Sequence, residues 1–272
     1  LKKSIVSGFL SLFMFFGLMS SVGAQSSNEI NEGIVPALTE AVTASEDTID
    51  NHLKEMGFFT NEISTMSIDM KREIASNDGK KVAAQELNTL VTVTDESGET
   101  TVGVASTNQL KAAASATPTI SGYAVYGGTS NNGKERIYQV YATYRWSSSP
   151  FNFYTDYLAM AWQANATPTG TPNGQHSVLG STAPNKVDKE EVSGTSWKVD
   201  IKAGGDTTVQ EGWGRQELRY PTTSQGISTA IAVGYSHRTL PGFTTGVSLS
   251  FGVVSFSGTG KVDYTGRFTF TI

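Results

Sequence analysis

The sequence predicts an α+β chain: a small N-terminal helical segment with a β-hairpin, then a predominantly antiparallel β-sandwich or barrel-like domain. Three observations lead there. Apolar residues recur at three- and four-residue steps between Leu38 and Met56, with acidic residues interspersed. From Ile120 onward the pattern becomes period-two alternation broken by Gly, Pro, Asn, Ser and Thr clusters. All four Trp and all ten Tyr lie after residue 122, whereas residues 25–122 contain only Phe58 and Phe59 as aromatics.

The chain begins with a leader. Lys2 and Lys3 precede an apolar run from Ile5 to Met19, and Ser20-Ser21-Val22-Gly23-Ala24 places small residues where a signal peptidase reads. The run is shorter than the roughly 20 residues a spanning helix needs. Residues 1–24 are therefore expected to be a signal peptide cleaved after Ala24, and the chain to be secreted. Leu1 fits either a bacterial non-AUG start or a truncated chain.

Pro36 suits the first turn of a helix carrying the Leu38–Met56 stripe, which Gly57 would end. Two short helices follow, with Thr60 and Ser67 as caps and Ile63, Met66, Met70 and Ile74 as their buried side, until Asn77-Asp78-Gly79 breaks the pattern. Leu87–Thr94 and Thr100–Ser106 are β-rich, and Asp95-Glu96-Ser97-Gly98 between them supplies hairpin turn chemistry. A short helical turn over Asn108–Ala114 leads into residues 112–119, a small-residue linker. Residues 25–111 thus form an acidic helical segment with a hairpin, readable as a pro-segment or cap, and 120–272 form the β-rich domain.

Within that domain Ile137–Trp146 alternates most clearly, and Trp197–Lys202, Glu217–Tyr220, Ile227–His237, Thr244–Ser257 and Lys261–Ile272 read as further strands. Asp156–Gln163 is too short for periodicity to classify and is taken as a strand. Residues 164–195 are polar and rich in Pro and Gly, the composition of a functional loop or mobile insertion. The Ser257-Gly258-Thr259-Gly260 break suggests that the last two strands pair antiparallel. No sorting motif or apolar tail follows, so no cell-wall anchor is expected.

Charge and composition exclude several classes. Residues 25–115 hold fifteen Asp/Glu against six Lys/Arg, and residues 116–272 hold ten against twelve. No basic face suited to nucleic acid emerges. The absence of cysteine rules out disulfides and thiol chemistry. The three histidines, His52, His176 and His237, have no metal-ligand spacing, and no metal or cofactor is expected. Ser236 and His237 are strand neighbours pointing to opposite faces, which precludes a nucleophile–base pair. Asp95-Glu96-Ser97-Gly98-Glu99 lacks the pattern of a calcium loop and reads as a turn.

Two segments carry a resemblance: Leu53-Lys54-Glu55-Met56-Gly57-Phe58 with Glu62-Ile63 and Met70–Ala75, and Trp146-Ser147-Ser148-Ser149-Pro150-Phe151 with Asp156. They resemble uncharacterised exported proteins of Gram-positive bacteria. The resemblance implies export and carries no activity.

Three functional expectations follow. The first is non-catalytic binding outside the cell, to an envelope polysaccharide or a partner protein, with Trp162, Trp197, Trp213 and Tyr220 as exposed binding aromatics. The second is membrane activity through Ile227–Ser236 and Thr244–Ser257 rearranging into a membrane hairpin. The third is glycoside hydrolysis by Glu211 and Glu217, which flank Trp213.

Overall fold

The computed structural model describes residues 33–104, 117–148, 150, 154–202, 208–240 and 245–272. The leader, the Asn108–Ala114 turn and most of the 112–119 linker lie outside the described residues. Three short helices come first: α1 (Glu46–Glu55), α2 (Thr60–Ile63) and α3 (Ile68–Ala75). The long helix expected from Leu38 is cut back to α1. Ser45 is extended at φ −64°, ψ 154° and its side chain accepts the Thr48 N–H, so the helix starts there. Thr39–Ser45 instead turns on itself and leaves Val42 exposed. Ser67 caps α3 as expected, whereas α2 is capped by Phe59, whose N–H bonds Glu62.

Next come β1 (Lys80–Glu86), β2 (Leu90–Thr94), β3 (Thr100–Val104), β4 (Thr119–Thr129), β5 (Glu135–Trp146) and β6 (Thr155–Trp162). They are followed by β7 (Thr167–Val178), β8 (Ser181–Pro184), β9 (Lys186–Glu191), β10 (Gly194–Asp200) and β11 (Gln210–Pro221). The last four are β12 (Ser228–Arg238), β13 (Gly246–Ser250), β14 (Val253–Ser257) and β15 (Lys261–Thr271). One antiparallel sheet runs β1-β4-β5-β11-β7-β8 and a second runs β3-β2-β15-β12-β6-β10-β9. Each has two free edges, so the sheets stack as a sandwich and do not close into a barrel.

The inner faces meet through large rings. Tyr138 packs on Phe270 at 5.1 Å between centroids, and Trp146 meets Tyr235 at 6.0 Å. Each sheet is also covered on its outer side. Ile49, Leu53, Met70 and Ile74 from the helices pack with Tyr123, Val125, Tyr141 and Trp213 of the six-stranded sheet. Ion pairing of Arg215 with Glu73 at 3.2 Å and a Thr182–Asp69 hydrogen bond at 2.7 Å pin this layer down. Lys71, almost fully buried, ties α3 to α1 through Glu46 at 2.7 Å and Asp50 at 2.9 Å.

The expected division near residue 112 is not a structural one. β1 pairs with β4, and β2 pairs with β15, so the segment before the linker supplies strands to both sheets. Residues 164–195, read as a loop, form β7, β8, β9 and the start of β10. Their Pro and Gly content conceals the strands, and Pro168 and Pro172 fall in the half of β7 that has β11 alone as a partner. Thr244–Ser257, read as one strand, is interrupted at Phe251-Gly252 and folds into a hairpin of β13 on β14. β15 consequently pairs with β12 and β2, not with β14.

Candidate functional site

β12 and β15 pair along their whole length, from Ser228↔Thr271 to Arg238↔Lys261. Residues 239–260 between them contain no charged side chain. Rather than extending the β12–β15 ladder, this segment doubles back as the β13–β14 hairpin over the outer face of the seven-stranded sheet. Its turn is Phe251-Gly252, where Gly252 takes φ +71°, a left-handed conformation that side chains resist.

The hairpin has two chemically distinct sides. Val247↔Phe256 and Leu249↔Val254 are cross-strand pairs facing the sheet, while Ser248↔Ser255 face outward with Ser250 and Ser257. Beneath lie Tyr157, Ala159 and Ala161 of β6 and Ala232 of β12. Gly234 completes this bed of small residues. A Cβ there would fall 2.6 Å from Val254 Cγ1 and 2.8 Å from the Phe256 ring, so only glycine lets the hairpin lie this close.

Among the described residues, four hydrogen bonds hold the hairpin to the sheet. Gly252 N–H donates to the Trp162 carbonyl at 2.7 Å, and Arg267 Nη2 donates to the Gly252 carbonyl at 3.1 Å. Lys189 Nζ reaches the Val247 carbonyl at 2.6 Å and Ser193 Oγ the Leu249 carbonyl at 3.1 Å. Among the described residues, no ladder joins the hairpin to an edge of either sheet.

The roots of the hairpin are anchored in buried polar groups on both faces of the sheet. On the inner face, Asp156 is fully buried and accepts hydrogen bonds from Tyr235 Oη at 2.7 Å and the Arg238 N–H at 3.1 Å, with His237 Nδ1 at 2.9 Å. Trp146 Nε1 donates to Tyr235 Oη at 3.1 Å. Burial and the Asp156 charge push the Tyr235 hydroxyl well above its ordinary pKa. On the outer face, Asp263 accepts from Ser236 Oγ at 2.6 Å and pairs with Lys261. Burial raises the Asp263 carboxyl despite the opposing effect of Lys261 and Ser236. Ser236 and His237 thus act on opposite faces, as the strand parity requires, and no nucleophile–base pair forms.

The four aromatics expected on the surface are all fully buried. Trp162 donates Nε1 to the Val192 carbonyl at 2.8 Å, and Trp197 packs directly against Gly214, where a Cβ would strike its ring. Trp213 packs under the helical layer beside Tyr141, and Tyr220 stands edge-on to Tyr138 and Phe270. Exposed-ring recognition therefore loses its basis. Alternation assigns a ring to a face but does not reveal what covers that face.

Glu211 and Glu217 do not form a catalytic pair. They lie six residues apart on β11, about 20 Å at strand rise, whereas glycosidase carboxyls stand about 5–9.5 Å apart. Glu211 is ion-paired with Arg145, and burial raises its carboxyl. Glu217 accepts from Thr169 Oγ1 at 2.6 Å, Gln139 at 3.0 Å and Arg219 at 3.2 Å. Burial acts to raise its carboxyl, but these donors outweigh it and the pKa is lowered. His176 stacks on Tyr144, and His52 is buried on α1. Among the described residues, no group of three or more His, Cys, Asp or Glu is arranged to hold a metal ion.

No protein-family profile and no curated protein matches the chain. Among solved structures it is similar to the membrane-inserted form of the Clostridium perfringens NetB toxin, at 10% identity over 70% of this chain and 96% of that one, with a TM-score of 0.27. It is also similar to a pore-forming protein, at 10% identity over 70% and 94% of the two chains and a TM-score of 0.27. A third, from work on Streptococcus parasanguinis adhesion by Fap1 fimbriae, shares 12% identity over 54% and 78%, with a TM-score of 0.22. Similarity this low does not establish a common fold.

Proposed function

We propose that this is an exported, non-catalytic protein that acts on membranes, with the segment between β12 and β15 as the element that enters the bilayer. The observation that carries the reading is the folded-back, uncharged hairpin with an apolar underside and a serine-rich outer side. Residues 243–251 and 252–260 supply nine residues on each side of the Phe251-Gly252 boundary, within the roughly 9–11 that a spanning strand needs. Swung outward, the segment would continue β12 and β15. Its apolar side would exchange the sheet for hydrocarbon while the serine side met water or a neighbouring hairpin.

A lone hairpin in hydrocarbon has two edges of unpaired N–H and C=O groups, which only closure can satisfy. Insertion therefore requires several copies side by side. About four hairpins make the smallest barrel of roughly eight strands.

Release of an encapsulated dye from phosphatidylcholine liposomes tests this reading. The discriminating variant combines Gly234→Cys with Val254→Cys, which takes away the Val254 methyl that a Cβ at 234 would strike, leaves the Phe256 ring to give way and lets the bond hold the hairpin down, in a chain with no other cysteine. The oxidised lock should abolish release and reduction should restore it. No release by the unmodified protein, or release unaffected by a formed lock, contradicts the proposal.

A further inference from the structure

The end of the seven-stranded sheet nearest the hairpin tip carries a second feature. Three turns meet around Trp162 and Gln163. The tip is joined by the bond from Gly252 N–H to the Trp162 carbonyl. The β9–β10 turn is joined by the bond from Trp162 N–H to the Ser193 carbonyl, 3.1 Å, and by the indole bond to Val192. The start of β12 is joined by Thr229 Oγ1 donating to Gln163 Oε1 at 3.0 Å. Each turn exposes large apolar side chains: Phe251 is 49% and Val253 52% exposed at the tip, Val192 64% and Ile227 51% on the other two. They make up four of the ten large apolar side chains exposed among the described residues, yet all serve one end of one sheet.

We infer that this end is a preformed membrane-contact platform, in which Val192, Ile227, Phe251 and Val253 enter the interfacial layer of a bilayer while the hairpin is still folded on the sheet. The four side chains sit on three turns drawn together around Trp162 and Gln163, and a fluid apolar phase receives all of them without needing a matched surface. Charge selects the kind of bilayer. Glu190 and Glu191, both exposed beside Val192, are matched by Lys189, 3.9 Å from Glu191, and by Arg267 at the hairpin tip, so this end carries no net positive charge to draw it to an anionic leaflet and a zwitterionic one is the occupant. The inference extends the membrane reading by adding residues outside the hairpin. It places lipid binding before, and independent of, hairpin release.

The test is co-sedimentation of the full chain with phosphatidylcholine vesicles. The double variant Val192→Ser with Ile227→Ser leaves the hairpin intact and changes only exposed side chains. It should weaken partitioning about tenfold, since each apolar side chain moved from water into lipid contributes in proportion to its area. Leu179→Ser alters a residue 80% exposed on the β7–β8 turn, toward the opposite end of the sandwich, and should leave partitioning unchanged. The oxidised 234–254 lock should bind as the unmodified protein does while releasing no dye. Unchanged binding by the double variant, lost binding by the locked protein, or tighter binding to phosphatidylglycerol vesicles overturns the platform. Platform-dependent binding without any dye release by the unmodified protein leaves the platform standing and sinks the insertion reading alone.

Discussion

Gly234→Ala tests whether the β13–β14 hairpin is a separable layer. The new Cβ would sit 2.6 Å from Val254 Cγ1 and under 3 Å from two atoms of the Phe256 ring. Valine has no long flexible end to swing aside, so the hairpin must lift or distort. Overpacking of this kind costs about 1–3 kcal/mol. Since 1.4 kcal/mol is tenfold in an equilibrium constant, opening of the hairpin should rise by about 5- to 150-fold. The strain falls on a layer joined, among the described residues, by four side-chain or turn hydrogen bonds and no sheet ladder, and the sandwich core behind Gly234 is untouched. Native-state hydrogen exchange reads this directly. Amides of residues 246–257 should exchange faster by that factor, while those of β5 and β11 keep their protection. Equal acceleration throughout both sheets would refute the reasoning, because it would make the hairpin part of the global cooperative unit.

Three further outcomes follow from the packing. Trp213→Ala removes the largest ring beneath the helical layer and should cost about 3–5 kcal/mol, read as a lower urea midpoint. Glu217→Gln removes a carboxylate whose pKa is lowered in the fold. The stability that this carboxylate adds is present above the ordinary glutamate range and is lost as pH falls through the lower folded-state value. The gap between variant and unmodified protein should therefore be largest near neutrality and shrink in acid, and a gap that widens in acid contradicts this sign. Proteolytic nicking within residues 112–119 should leave both pieces together on gel filtration, because β1 pairs with β4 and β2 with β15; their separation would refute the shared-sheet architecture.

Much of the architecture is legible from alternation. β5, β6, β10, β12, β15 and the Glu217–Tyr220 part of β11 lie where apolar residues alternate or cluster, and Ser67 marks a helix start through ordinary capping chemistry. What escaped the sequence depends on distant partners. β7 to β9 are rich in Pro, Gly, Lys and Glu, residues of weak strand preference that pairing with β11 and β10 holds extended. Tyr138 and Tyr141 project to opposite faces of β5 yet both are fully buried, because the other sheet covers one face and the helices cover the other. The same double coverage removed Trp162, Trp197, Trp213 and Tyr220 from the surface. The hairpin was half visible. Its alternating Ser and apolar residues show in the sequence, but its fold-back over Ala159, Ala161 and Gly234 depends on what β6 and β12 leave empty.

The most direct test is a scan of single cysteines carrying an environment-sensitive fluorophore at positions 247–256, recorded with and without phosphatidylcholine vesicles. Membrane entry by the hairpin predicts a period-two response within each strand, with Val247, Leu249, Val254 and Phe256 reporting hydrocarbon and Ser248, Ser250 and Ser255 reporting water. Spectra unchanged by vesicles at every position, or a response without alternation, would contradict it.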